Sequence, residues 1–119
     1  MQRLVVKLTA GADEAERCAQ AFTVAATAIA AGAEVSMWLT GDATFLAIPG
    51  RAEDFSLPHS APLKDLRDAI IAGGQLTVCT QCAARRELTQ NDLIPNVRIA
   101  GAATFIEESL TESTQALVY

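Results

Sequence analysis

An open, mainly parallel five-stranded α/β sheet with helices on both faces is predicted by three features of this 119-residue sequence. Apolar runs of strand length recur along the chain. Helix-like stretches separate them, and several runs are rich in Val and apolar on both sides, as strands buried in a parallel sheet are. Half of the residues are hydrophobic, much of that Ala and Val rather than aromatic, which suits helices packed closely on a sheet. The length fits a single domain, 1–119, with no room for a second core.

The elements follow in order. Leu4 to Leu8 reads as the first strand, and Asp13 to Ala31 as a helix with Cys18, Phe22, Ala25 and Ile29 on one face, closed by Gly32. Glu34 to Leu39 is the second strand and Gly41 to Ala47 a short helix. Pro49 to His59 has two prolines and mixed charge and is expected to be a surface excursion. Ser60 to Ala72 reads as a helix with a capping serine, Pro62 in its first turn and Leu63, Leu66 and Ile70 on one face, stopping at Gly73-Gly74. Leu76 to Cys79 is the third strand, Thr80 to Leu88 a helix, Val97 to Ala100 the fourth strand, Ala102 to Leu110 a helix and Ala116 to Tyr119 the fifth strand. Such alternation requires right-handed crossovers, which place helices on both sides of the sheet.

The formal charge is -5 and no stretch gathers Lys and Arg into a stripe, so neither nucleic acid nor an acidic membrane surface is an expected partner. The opening MQRLVVKLTAG is too short in its apolar part for a signal sequence, and no segment has the length of a bilayer span, so a cytoplasmic location is expected. Three cysteines in such a chain are expected to stay reduced.

Ligands of open α/β sheets bind outside the carboxyl ends of the strands. Here those turns read Thr9-Ala10-Gly11, Thr40-Gly41-Asp42 and Cys79-Thr80-Gln81-Cys82. Neither a dinucleotide fingerprint nor a phosphate loop is present. Cys79 closes a strand and Thr80 is placed to cap the following helix, so the Cys79 sulfur should face free N–H groups that favour its thiolate. Arg85 and Arg86 would add positive charge. Cys82 lies one turn along, near enough for a Cys-x-x-Cys disulfide.

Each residue also has a plain reading. Cys79 is equally a small thiol at a strand end, Cys82 a helix residue turned to the core, and Cys18 falls on an apolar face. His59, the single histidine, is either a solvated loop residue or a proton-transfer partner for the thiol. Arg85 and Arg86 read equally as a solvated helix face, and Trp38 as packing. Beyond the thiol pair only Cys18 and His59 offer ligands for zinc, without a recognised spacing, so no metal is expected.

The segments LVVKLTAG, AIAAGAEVSMWLTGDATFLA, QLTVCTQCAARREL and GAATFIEESLTESTQALVY carry a further message. Through them the chain resembles, nearly end to end, the DsrE/DsrF-like family of small sulfur-relay proteins. The resemblance implies a flavodoxin-like sheet, assembly into homotrimers or homohexamers, and no cofactor. It places Cys79 on the cysteine that accepts and hands on persulfide sulfur, and Cys82 where some members have a second cysteine that TusD-like chains do without. One departure is Arg86-Glu87-Leu88, where many relatives have Gly after the Arg; without it the helix is expected to end differently.

The leading expectation is therefore a sulfur carrier, or sulfurtransferase-like protein, acting at Cys79 between sulfur donor and acceptor proteins or small thiols. Thr9, Thr40, Thr80 and backbone N–H groups at Gly11 and Gly41 would hold the terminal sulfur, with Arg85, Arg86 and His59 nearby. Two other readings remain: a non-catalytic oligomeric binding module with passive cysteines, and a dithiol redox protein cycling Cys79 with Cys82.

Overall fold

The computed structural model describes residues 2–119. Five parallel strands, β1 (Arg3–Leu8), β2 (Glu34–Leu39), β3 (Gln75–Cys79), β4 (Val97–Ala100) and β5 (Thr114–Val118), form one sheet in the order β4-β3-β2-β1-β5. The chain winds outward from β1 to β4 and then returns to the other side of β1. All the expected strands are present within two residues of their expected bounds.

Register sorts the strand side chains into rows. Val6, Met37, Leu76 and Val97 form one, and Leu8, Leu39, Val78 and Ile99 the next. Against these rows pack α1 (Ala15–Ala30) and α3 (Leu63–Gly73), with Cys18, Phe22, Ala25, Leu63 and Ile70 buried. Apolar burial of that kind contributes on the order of 2 kcal/mol per large side chain.

The opposite side is different. Its row is Lys7, Trp38, Thr77 and Arg98, with Ser36 one step below on β2. The runs were expected to be apolar on both sides, but here α5 (Ala102–Ser109) covers a polar layer. Its Glu108 carboxylate accepts from Ser36 Oγ at 2.6 Å, Trp38 Nε1 at 3.0 Å and an Arg98 Nη2 at 2.7 Å, while Arg98 Nε donates to Thr77 Oγ1 at 2.9 Å. This half-buried polar layer is tolerable because Ser36, Trp38, Thr77, Arg98 and Glu108 satisfy one another.

Several element details depart from expectation. The first helix begins with a 3-10 turn at Ala12–Glu14, and Gly41–Ala47 is 3-10 rather than α. The excursion after Pro49 holds a further turn, α2 (Arg51–Asp54), because buried Ala52 anchors it and Arg67, 4 % exposed, binds Glu53 from α3 at 3.1 Å. Ser60 does not cap α3: its hydroxyl donates to the Ala61 carbonyl, and Pro62 occupies the cap position.

The cysteine helix, α4 (Thr80–Arg85), is shorter than expected and ends on a paired closure. Leu88 N–H donates to the Ala83 carbonyl at 2.9 Å and Glu87 N–H to that of Ala84 at 3.1 Å. This arrangement needs a left-handed residue at Glu87, which has φ +55°. The missing glycine therefore does not change how the helix ends. Glu87 adopts the strained conformation instead, at a cost of about 1 kcal/mol.

Candidate functional site

The three turns singled out in the sequence converge at the carboxyl edge of the sheet. Gly41 has φ +55°, and a Cβ there would lie 2.6 Å from the Thr9 carbonyl oxygen; one on Gly11 would lie 2.6 Å from that of Asp42. Neither position accepts a side chain without moving backbone. This close approach brings the turn after β2 onto the thiol pair: Gly41 N–H donates to Cys82 Sγ at 3.3 Å.

Cys79, not Thr80, is the N-cap of α4, and Thr80 is its exposed first residue with no capping bond. The correction follows from β3 running to Cys79 itself, so the helix starts without an intervening linker residue. Cys79 is partly exposed, and its thiol donates to Gln81 Oε1 at 3.4 Å. Burial pushes the Cys79 thiol up, but the Cys82 amide, the Cys82 side chain, the Gln81 amide and the charge of Lys7 together outweigh it. The net effect holds Cys79 below the ordinary thiol value, the direction that favours a nucleophilic thiolate.

The cation acting on Cys79 is Lys7, a residue the sequence reading passed over. It stands on the side of the sheet that Cys79 shares through Thr77 two residues before it, and its ammonium lies 5.2 Å from the centre of the Phe105 ring on α5. The available signal was a lone lysine inside an otherwise apolar strand. Gln81 was also missed, since a helix-start glutamine carries no pattern of its own.

The arginines are placed otherwise. Arg86 donates to Asp42 Oδ1 at 2.8 Å and to the Cys82 carbonyl at 3.1 Å, with its guanidinium 5.5 Å from the Phe45 ring centre. It thus clamps α4 to the turn after β2, while Arg85 is exposed. The threonine hydroxyls are engaged with backbone: Thr9 donates to the Tyr119 carbonyl at 2.7 Å and Thr40 to that of Leu8 at 3.0 Å. Gly11 N–H donates to Asp13 Oδ1 at 2.9 Å.

His59 is not brought to the thiols. With φ +63° it lines a separate cavity of about 430 Å³ together with Glu16, Gln20, Thr23 and Tyr119. The loop before α3 carries it to the side of α1 and β5, with β2 and β1 lying between β5 and the strand of Cys79. Cys18 is fully buried, and that burial, with Asp13 adding to it, pushes its thiol up to about 12. Among the described residues no three His, Cys, Asp or Glu side chains are grouped to hold a metal ion, and no helix is long and apolar enough to cross a membrane.

Comparison with known proteins gives uncharacterized relatives and a shared fold. The chain is 29% identical over 107 residues to the uncharacterized protein MJ0760 of Methanocaldococcus jannaschii, covering 89% of this chain and 39% of that protein. It is 33% identical over 85 residues to the uncharacterized protein MK0008 of Methanopyrus kandleri, covering 71% and 68% of the two. The chain thus spans about two fifths of the length of the first of these relatives. Among solved structures, the ychN protein from E. coli superposes over 100% of both chains with a TM-score of 0.83 at 16% identity. A protein of unknown function, MTH1491 from Methanobacterium thermoautotrophicum, does so over 100% of both chains with 0.74 at 13%. Both share the α/β fold described above. A family profile matches residues 2–116, nearly the whole of the sheet and its helices, and by that match the chain belongs to the DsrE/DsrF-like family.

Proposed function

We propose that this protein carries sulfane sulfur as a persulfide on Cys79, taking it from a donor and passing it to an acceptor thiol. The observation that supports this most directly is the partly exposed Cys79 thiol held below its ordinary acidity value at the carboxyl edge of the sheet. In loading, the Cys79 thiolate attacks the outer sulfur of a donor persulfide, and the donor departs as its own thiolate. In unloading, an acceptor thiolate attacks the same outer sulfur and Cys79 leaves as thiolate. Each step exchanges one S–S bond for another with no net oxidation, so no cofactor is needed. Amides at Gln81 and Cys82 and the Lys7 charge suit an anionic persulfide as well as a thiolate.

The carrier is expected to act on proteins or small thiols in the cytoplasm and as a homotrimer or homohexamer. Exposed Ile106 and Leu110 on and just after α5, with Leu117 and Val118 on edge strand β5, favour assembly. Sedimentation of the purified protein decides that part, and a monomer at micromolar concentration overturns it. The function itself is tested by intact mass spectrometry after exposure to a persulfide donor. One added sulfur should map to Cys79 and be absent from Cys79→Ser; equal loading of the two proteins would sink the reading.

A further inference from the structure

Cys82 differs from Cys79 in access. It is 8 % exposed, faces the turn after β2 and accepts the Gly41 amide at 3.3 Å. An external donor or acceptor thiol reaches Cys79, whereas Cys82 is shielded by α4 and by the turn that Arg86 clamps onto it through Asp42 at 2.8 Å. Yet Cys82 belongs to the helix that Cys79 caps, and its side chain is among the groups that lower the Cys79 thiol. Cys79 caps α4 and Cys82 is the third residue of that helix, the Cys-x-x-Cys placement at a helix start in which dithiol redox proteins form a disulfide.

From this arrangement we infer that Cys82 is an internal resolving thiol, which discharges a Cys79 persulfide as hydrogen sulfide when no acceptor arrives. The inference rests on the carrier reading. Cys82 gives its proton to the outer sulfur of the persulfide, and its own sulfur attacks Cys79 Sγ. The bond between Cys79 Sγ and the outer sulfur breaks, and its electron pair leaves on the outer sulfur. Cys79 persulfide and Cys82 thiol thus become a Cys79–Cys82 disulfide and hydrogen sulfide. The Cys82 sulfur is oxidised, the released sulfur is reduced, and Cys79 keeps its oxidation level. A cellular thiol or dithiol reductant then returns the pair to two thiols.

Gly41 gives the step its geometry. Its amide is fixed by a left-handed backbone packed against the Thr9 carbonyl, so the hydrogen bond to Cys82 Sγ ties that sulfur to the turn after β2 at the carboxyl edge of the sheet. Burial of Cys82 restricts its reaction to the one sulfur already inside. The protein would therefore deliver sulfur to a docked acceptor, and otherwise empty itself as sulfide.

The test loads the whole protein with sodium polysulfide, removes the reagent by rapid gel filtration, and follows trapped sulfide and intact mass with time. Wild type should release one sulfide per loaded protomer and finish two hydrogens lighter than the dithiol form. Cys82→Ser and Cys82→Ala should keep the added sulfur on the order of tenfold longer. Wild-type persulfide that lasts as long as in both variants overturns the inference and leaves the carrier reading standing. If neither wild type nor the Cys82 variants gain sulfur, the carrier reading fails and the resolving role falls with it. Independently, diamide treatment of the unloaded protein should give a Cys79–Cys82 disulfide in a peptide map, and its absence overturns the pairing even where Cys79 loads.

Discussion

Two cysteines on opposite sides of one sheet show what the two sides are for. Cys18 points from α1 into rows of Val, Leu and Met, and burial with the nearby Asp13 pushes its thiol up to about 12. Cys79 stands where the other side opens, and although burial acts on it too, backbone amides, the Cys82 side chain and Lys7 bring it down. Burial alone would make both inert. What separates them is the set of donors and charges facing the sulfur, which the apolar side lacks and the polar side supplies.

The largest effect that tests this contrast is in reactivity. At pH 7 native Cys79 should alkylate faster than Cys18 by on the order of a hundredfold or more, since Cys18 is buried with its thiol pushed up to about 12 while Cys79 is partly exposed and held below the ordinary thiol value. Comparable labelling of the two by peptide mapping would erase the distinction.

On the apolar side, Phe22→Ala removes a fully buried ring and should cost about 4 kcal/mol in urea unfolding. A loss below about 1 kcal/mol would mean that this side is not the main source of stability. On the polar side, Glu108→Gln should cost about 2 kcal/mol, because it weakens bonds to Ser36, Trp38 and Arg98 around one carboxylate. Burial raises the acidity value of Glu108, but those three donors outweigh it and hold it below the usual carboxylate range. A depressed folded value contributes stability that is present above the unfolded value near 4.3 and is lost as pH falls through the folded one. Glu108→Gln should therefore be nearer to wild type at pH 3 than at pH 7, and a gap that stays constant with pH would contradict the assignment.

Two smaller changes sharpen the site. Glu87→Gly relieves a left-handed residue at the end of α4 and should raise stability by about 1 kcal/mol, or roughly 4 °C in Tm. A fall in Tm would show that the Glu87 side chain contributes more than its backbone costs. The smallest effect is expected for Lys7→Met: the pH midpoint of Cys79 alkylation should move upward and the rate at pH 7 should fall by roughly twofold to fivefold, as for one partly solvated charge. An unmoved midpoint would leave the amides and the Cys82 side chain as the source of Cys79 acidity.

Periodicity and punctuation by themselves determined the five strands, the face of α1 that carries Cys18 and Phe22, and the position of Cys79 where a strand becomes a helix. These are local properties: apolar spacing sets which side of an element is buried, and a strand followed directly by a helix start leaves its junction at the sheet edge. Residues far apart in the chain were decided only in three dimensions. Register across β1, β2 and β3 placed Lys7 on the side of Cys79, and winding of the chain carried His59 to another cavity. The close approach of Gly41 to the Thr9 carbonyl aimed an amide at Cys82, and Asp42 drew Arg86 into a clamp. Local sequence cannot encode such contacts singly, because each depends on where another segment's backbone comes to rest, and that is set by packing of the whole sheet.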